Sequence, residues 1–290
     1  MDSKNQKWIY LSVLALVWGS SFILMKKALI GLTPVQLGAL RVLIAGVFLL
    51  LIGFKSLKQI KSKHYKYIFY TAITGTFVPV FLFAYAVSGI DSSIASILNS
   101  LTPFNTFIIG ALAFGFTFKK QQLLGIFIGL IGTVILILKG ADLNPNQNYW
   151  LSFLIIIASI GYAFNVNIVK KHLYDISALS IVAGNFLLLI VPAFIVLAFT
   201  DFFSTFKINQ TNINSLGYVT VLAIVGTGLA KVLYNKMVHL ATPIFASSVT
   251  YLIPVVAVFW GILDGEKLSF TQLIAAIVIL LGVYLVNKKK

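Results

Sequence analysis

The feature that most constrains this chain is a succession of apolar runs, each about long enough to cross a bilayer and each free of carboxylates. Bounded by charges and turn residues, they cover approximately Trp8–Met25, Val35–Gly53, Tyr67–Val87, Ser93–Phe114 and Leu123–Leu138. The second half continues with Tyr149–Val169, Ala178–Phe199, Leu216–Val238, Pro243–Ile262 and Phe270–Val286. A spanning helix needs roughly 20 apolar residues, so ten fit into 290 residues with short loops between them. Membrane strands alternate apolar and polar residues over about ten positions, and runs such as Leu123–Leu138 lack that alternation. Only 10% of the residues are charged, against about 25% in soluble domains, too few for an ordinary aqueous surface. The expected fold class is an all-α polytopic membrane protein with ten transmembrane helices.

The net charge of +15 comes from 22 basic residues, all Lys except Arg41. On a soluble chain it would point to nucleic acid; here little aqueous surface remains for a binding groove. Most of the lysines sit in the short loops, where their distribution orients the chain. Fifteen share a side with the N-terminus, among them Lys55 to Lys66 and Lys288 to Lys290. Five, namely Lys26, Lys27, Lys139, Lys207 and Lys267, fall on the other. By the positive-inside rule both termini are cytoplasmic and the number of spans is even. Lysine-rich, compact loops fit a bacterial inner membrane. The chain has no Cys, which excludes disulfides, thiolate metal sites and Cys nucleophiles. No small-residue cleavage site follows the first run, so helix 1 is expected to stay as its own insertion signal.

The two halves repeat each other at an offset of about 151 residues. Tyr67, Ala72, Gly75, Thr76 and Leu82 align with Tyr218, Ala223, Gly226, Thr227 and Leu233. Without a gap, Ala95, Ser96, Leu101, Pro103 and Gly110 align with Ala246, Ser247, Leu252, Pro254 and Gly261. The division expected is residues 1–140 and 141–290, each with five helices. Five is odd, so the second unit lies upside-down relative to the first. Inverted repeats of this kind build secondary transporters, with the substrate near the midplane between them.

Several of these residues also resemble a known family, the EamA-type members of the drug/metabolite transporter superfamily. The likeness covers essentially the whole chain. It is carried by Trp18-Gly19-Ser20-Ser21-Phe22, Pro34 with Arg41, Ser92–Pro103 followed by Gly110, and Asp264-Gly265-Glu266-Lys267-Leu268-Ser269 with Gln272 and Gly282. In one departure, Gly115 is followed by Phe116 where the family often has Glu, so Glu266 alone can fill the acidic role in these turns. The resemblance implies two inverted five-helix repeats, a central cavity lined mainly by helices 1, 3, 4, 6, 8 and 9, and transport of small metabolites, often amino acids and frequently outward.

All seven acidic residues lie in tails or loops, so a buried carboxylate for ion coupling is missing and facilitated transport or exchange is expected. Lys231, by contrast, lies within a span. Thr227, Lys231 and Asn235 share one helix face, with Tyr234 beside it. That group suits a substrate carboxylate or phosphate; the alternative is that Lys231 snorkels to the headgroups. Arg41, similarly deep, is expected to be structural, and Glu266 to be structural or gating. Pro103 and Pro254 interrupt helices at matching places in the two halves, each freeing a carbonyl; such interruptions mark either a binding site or a packing kink. Asn99 on helix 4 and Tyr251 on helix 9 lie on polar stripes beside these prolines. Trp18, Ser21, Phe81, Tyr85, Tyr162 and Asn165 complete the candidate cavity, a mix of aromatic walls and a few polar groups that suits an amphiphilic metabolite.

These residues favour a carrier of a carboxylate-bearing metabolite, a neutral or aromatic amino acid first. The second reading is a phosphorylated or nucleotide-linked metabolite. An enzyme is disfavoured because His64, His172 and His239 form no ligand-spaced pair and no acid assists them. A channel is disfavoured because no filter-like loop or ring of charges occurs. No cofactor, metal or nucleic acid is expected; the partners are the substrate and the lipid bilayer, and the chain acts as a monomer or homodimer.

Overall fold

The computed structural model describes residues 3–115, 120–143 and 146–287. Asp2, Phe116, Lys119 and Lys288 to Lys290, which entered the reasoning from sequence, lie outside the described residues. The described residues are helical apart from turns and short connections, with no strand among them. In chain order α1 is Ser3–Ala28 and α2 is Pro34–Gly53. α3 runs Ser62–Ala72, passes through a π-helical turn at Ile73–Phe77, and continues as Val78–Val87. α4 is broken into Ser92–Asn99 and Thr102–Phe114. α5 is Lys120–Leu143, α6 Ser152–His172 and α7 Ala178–Ala198. α8 has segments Gln210–Val221 and Ala230–Leu240 around a second π-helical stretch, Leu222–Leu229. α9 is Pro243–Ser247 followed by Val249–Leu263, and α10 is Phe270–Asn287. Among the described residues, eight helices are long and apolar enough to cross a membrane, while α5 and α10 contribute shorter apolar stretches, Phe127–Lys139 and Phe270–Gly282.

Local sequence explains where these helices start and stop. Thr33 caps α2 by a reciprocal pair with Gln36, its Oγ1 accepting the Gln36 amide at 3.3 Å and its amide donating to Gln36 Oε1 at 3.0 Å. Pro34 follows, where a helix needs no amide donor. Thr242 and Pro243 open α9 in the same way, with the Phe245 amide 3.2 Å from Thr242 Oγ1. Gly115 after α4 and Gly265 after α9 both adopt φ +85°, a left-handed conformation that ends helices at little cost only for glycine. The two turns lie 150 residues apart.

Large apolar side chains such as Leu51, Val191, Phe194, Phe259 and Ile277 are exposed on the outside, while Ser96, Asn99, Thr106, Asn167 and Asn185 are buried. Apolar outside and amide-rich inside is the arrangement lipid favours, because no water is available there to satisfy polar groups. At one end of the bundle, Lys63 Nζ meets Asp175 at 2.5 Å and His64 Nε2 lies 3.1 Å from the same carboxylate. The α2–α3 and α6–α7 connections therefore share that end. There Lys170 Nζ also donates to Val238 O at 3.0 Å. At the opposite end Lys26 pairs with Glu266 at 2.9 Å, and the Asn148 amide donates to Gly89 O at 3.0 Å. Among the described residues the three largest apolar clusters of the interior lie around Phe83, Ile97 and Ile253, around Leu14, Val169 and Met237, and around Ala45, Phe186 and Ala223.

Candidate functional site

A cavity opens where these clusters meet. Among the described residues it is lined from α1 by Trp18, Ser21, Phe22 and Met25, and from α8 by Gly226, Thr227, Lys231, Tyr234 and Asn235. α6 supplies Tyr162 and Asn165, α4 supplies Asn99 and Thr102, and α3 supplies Val80 and Phe83. α9 contributes Val249, Thr250 and Ile253. Two further helices take part that the family resemblance did not lead one to expect: α2 brings Arg41, and α7 brings Val182 and Asn185. Arg41 reaches the cavity because its stem is long enough to run from α2 to α8, where Nε donates to Thr227 Oγ1 at 2.7 Å. Asn185 is held by Thr71 at 3.0 Å.

The π-helical turns shape the cavity wall. Such a turn inserts one residue into the helix and leaves its carbonyls poorly matched to intrahelical donors. Two of them accept side chains instead. Gly226 O accepts Trp18 Nε1 at 2.9 Å, and Gly75 O accepts Lys231 Nζ. Lys231 therefore points into the bundle rather than towards the headgroups. The aromatic side of the cavity is a chain of contacts, Trp18 against Tyr234 at 5.1 Å and Phe83 against both Phe22 and Tyr162 at 5.8 Å.

Charge is the site's outstanding property. Arg41 and Lys231 both line it, and no described lining residue is a carboxylate. Arg41 is bonded to Thr227, one helical turn before Lys231 on α8, so both cations face the same cavity. Like charges sharing one low-dielectric cavity repel each other, and a bound anion would relieve that repulsion. Among the described residues no group of three or more His, Asp or Glu side chains could hold a metal ion. The three histidines are dispersed, His64 beside Asp175, His172 stacked on Tyr67 at 4.0 Å, and His239 near the end of α8.

Of the residues singled out from sequence, Trp18, Ser21, Asn99, Tyr162, Asn165, Thr227, Lys231 and Asn235 come together here, joined by Arg41. Phe81 and Tyr85 do not. Phe81 packs on Phe77 at 5.1 Å, Tyr85 is exposed on the outside, and Val80 and Phe83 take the inner face of α3. Tyr251 is half-buried outside the lining, packed against the apolar cluster of Phe83, Ile97 and Ile253. Pro103 and Pro254 are buried but set back from the lining, and they are not equivalent. Pro103 stands in the first turn of the second α4 segment, just after the break, whereas Pro254 is inside α9. The carbonyls they free are both used: Asn99 O accepts Thr102 Oγ1 within α4 at 2.8 Å, and Thr250 O of α9 accepts Ser100 Oγ from the α4 break at 3.0 Å. Thr102 and Asn185 were missed from sequence; a lone amide in the apolar run of α7 was the available signal for Asn185.

Glu266 lies away from the cavity, at the bundle end. Oε1 accepts Lys26 Nζ at 2.9 Å, the Ser92 amide at 3.0 Å and Ser92 Oγ at 2.6 Å; Oε2 accepts the Ser93 amide at 3.0 Å and Ser93 Oγ at 2.6 Å. Burial alone would raise this carboxyl's pKa, but the bonds from Lys26, Ser92 and Ser93 outweigh it and hold the group below its ordinary value. Asp264 beside it pairs with Lys26 at 3.0 Å and with Lys27.

Comparison with known proteins gives this geometry a context. The sequence profile described as the EamA-like transporter family matches residues 6–138 and again 149–288. An uncharacterized inner membrane transporter of Escherichia coli K12, YedA, is 29% identical over 288 residues, covering 97% of this chain and 90% of its own. A probable amino-acid metabolite efflux pump of the same organism is 27% identical, covering 94% and 92%. An S-adenosylmethionine/S-adenosylhomocysteine transporter of Chlamydia muridarum is 22% identical, covering 94% and 88%. A solved crystal structure at 15% identity superposes with a TM-score of 0.67 over 98% of this chain and 96% of that one, which shows a shared fold.

Proposed function

This chain belongs to the EamA-like transporter family, and we propose that it carries a carboxylate-bearing metabolite of the amino-acid class across a bacterial inner membrane by alternating access. The coarser statement, a membrane transporter of small metabolites, follows from the family and from relatives named as transporters and efflux pumps. The observation that carries the finer one is the cavity itself. Its cationic groups Lys231 and Arg41 are set among amides and an aromatic wall, which fits an anionic head on an apolar body.

Ten helices in two inverted five-helix units, 1–140 and 141–290, rocking about this cavity, would expose it to each side in turn. The double match to the family profile supports this division, as do the π-helical turns that recur 151 residues apart. Both termini are placed in the cytoplasm, as the lysine distribution requires. With no carboxylate among the described lining residues, the mode is facilitated transport or exchange. A second reading, a phosphorylated metabolite, gains from Arg41 joining the lining.

Counterflow tests the proposal without knowledge of a driving force. Proteoliposomes preloaded with unlabelled amino acids should accumulate the labelled form with wild type, and Lys231→Gln should reduce this at least tenfold while melting like wild type. Equal counterflow in both would remove Lys231 from the site. Silence with every amino acid, from folded protein, would overturn the substrate class.

A further inference from the structure

We propose that the cavity is a two-cation site for a dianion, in which Arg41 binds the ligand beside Lys231. This rests on the carrier function proposed for the same cavity but replaces the amino-acid class with metabolites that bear two negative charges, as two carboxylates or one phosphate monoester. Arg41 is buried, and among the described residues only its Nε has a strong partner, Thr227. Its Nη1 faces Met25 Sδ at 3.6 Å, and a thioether is a weak acceptor. The planar fork that suits carboxylate and phosphate is therefore largely unspent. Lys231 donates to Gly75 O, which leaves two of its three hydrogens.

Neither cation pairs with a carboxylate among the described residues. Charges inside a membrane protein are ordinarily compensated by a partner; here the ligand is the remaining source. A zwitterion adds no net charge to the pair and a monoanion leaves one cation unmatched. A dianion closes the balance. On binding it draws the ammonium of Lys231 towards itself, so occupancy competes with the tie from Lys231 to Gly75 O between α8 and α3.

The test compares succinate with succinamate, which matches it in size but carries one charge fewer, and adds glycerol 3-phosphate as the phosphate arm. Each is assayed by counterflow and by the melting midpoint of the full purified chain. Expected is at least tenfold better exchange of one dianion than of succinamate, and the favoured dianion tells carboxylate from phosphate. Arg41→Gln should abolish that preference, and Arg41→Lys, which keeps the charge and loses the fork, should retain part of it. If Arg41→Gln does not fold, Arg41→Lys decides, an undiminished preference counting against Arg41. Equal exchange of succinate, glycerol 3-phosphate and succinamate, or exchange of neutral amino acids alone, would overturn the two-cation site and leave the carrier standing. No exchange of any solute by folded protein would overturn both.

Discussion

Glu266→Gln exchanges one carboxylate oxygen for an amide nitrogen at the point where α1, α4 and the α9–α10 turn meet. Five donors converge on this carboxylate, and its side chain is 1% exposed, so magnitudes for buried groups apply. Gln keeps one acceptor oxygen. Its amide nitrogen must then face the amide and hydroxyl of either Ser92 or Ser93; the hydroxyl can turn to accept, in a neutral bond, but the backbone amide is left without an acceptor. Two charge-assisted bonds at about 1.5 kcal/mol each give a loss of about 3 kcal/mol, at the lower end of the roughly 3–5 kcal/mol seen when a buried ion pair loses one partner. Lys26 retains Asp264 at 3.0 Å, so the cost arises chiefly at the start of α4. On the scale for soluble chains of similar length, this lowers the melting midpoint by about 6–12 °C, measurable on purified protein in mild detergent. The sign with pH follows from the depressed carboxyl. Its stabilisation is complete above the ordinary carboxylate value of about 4.3 and is lost as pH falls through the lower folded value. The gap between wild type and variant should hold from pH 8 to 5 and close under more acid conditions. A gap below 1 °C at pH 7, or one that fails to shrink on acidification, would refute the reasoning.

Two further outcomes test the architecture. Since the chain has no Cys, Lys66→Cys and Lys207→Cys can be labelled singly in intact cells; opposite sidedness is expected, and labelling from one side would break the inverted arrangement. A methyl at Gly282 would lie 2.5 Å from Gly129 N and 2.7 Å from Gly125 O, backbone atoms of α5. Gly282→Ala should cost about 1–3 kcal/mol by overpacking, seen as a lower melting midpoint, whereas Gly217→Ala, with no heavy atom near, should be free of such a clash.

The features legible in the sequence are those that lipid and local capping dictate residue by residue. Apolar runs announce spanning helices because membranes leave the backbone little choice, and Thr33-Pro34 and Thr242-Pro243 announce helix starts because their chemistry is local. Lys231 stood out because charge within a span is rare. The inner face of α3 was not legible. The π turn at Ile73–Phe77 adds a residue and rotates the rest of the helix by roughly 100°, so that Val80 and Phe83 line the cavity while Tyr85 faces out. The place of Arg41 in the cavity lining was not legible for a different reason. Its helix was expected behind the cavity, and only a side chain long enough to reach Thr227 brings the guanidinium in. The break in α4 was read at Pro103, yet the helix already stops at Asn99 and the proline is the second residue of the next segment, Thr102–Phe114.

The π-helical turns connect this scaffold to its chemistry. Gly75 and Gly226 stand 151 residues apart, each in a π-helical stretch, and each presents a carbonyl to a side chain on another helix. The scaffold is thus matched at the two positions while the donors differ: a neutral indole, Trp18, at Gly226, and a cation, Lys231, at Gly75. An indole N–H has no reason to leave its carbonyl for an anion a short distance away. An ammonium gains a full opposite charge by doing so, and charge-assisted bonds are roughly twice as strong as neutral ones. Of the two ties, only the one at Gly75 is expected to respond to an anionic ligand. Under the alternating access proposed above, near-equal halves would make exchange between the two open states inexpensive, and the unequal donors would make one of their contacts depend on the cargo.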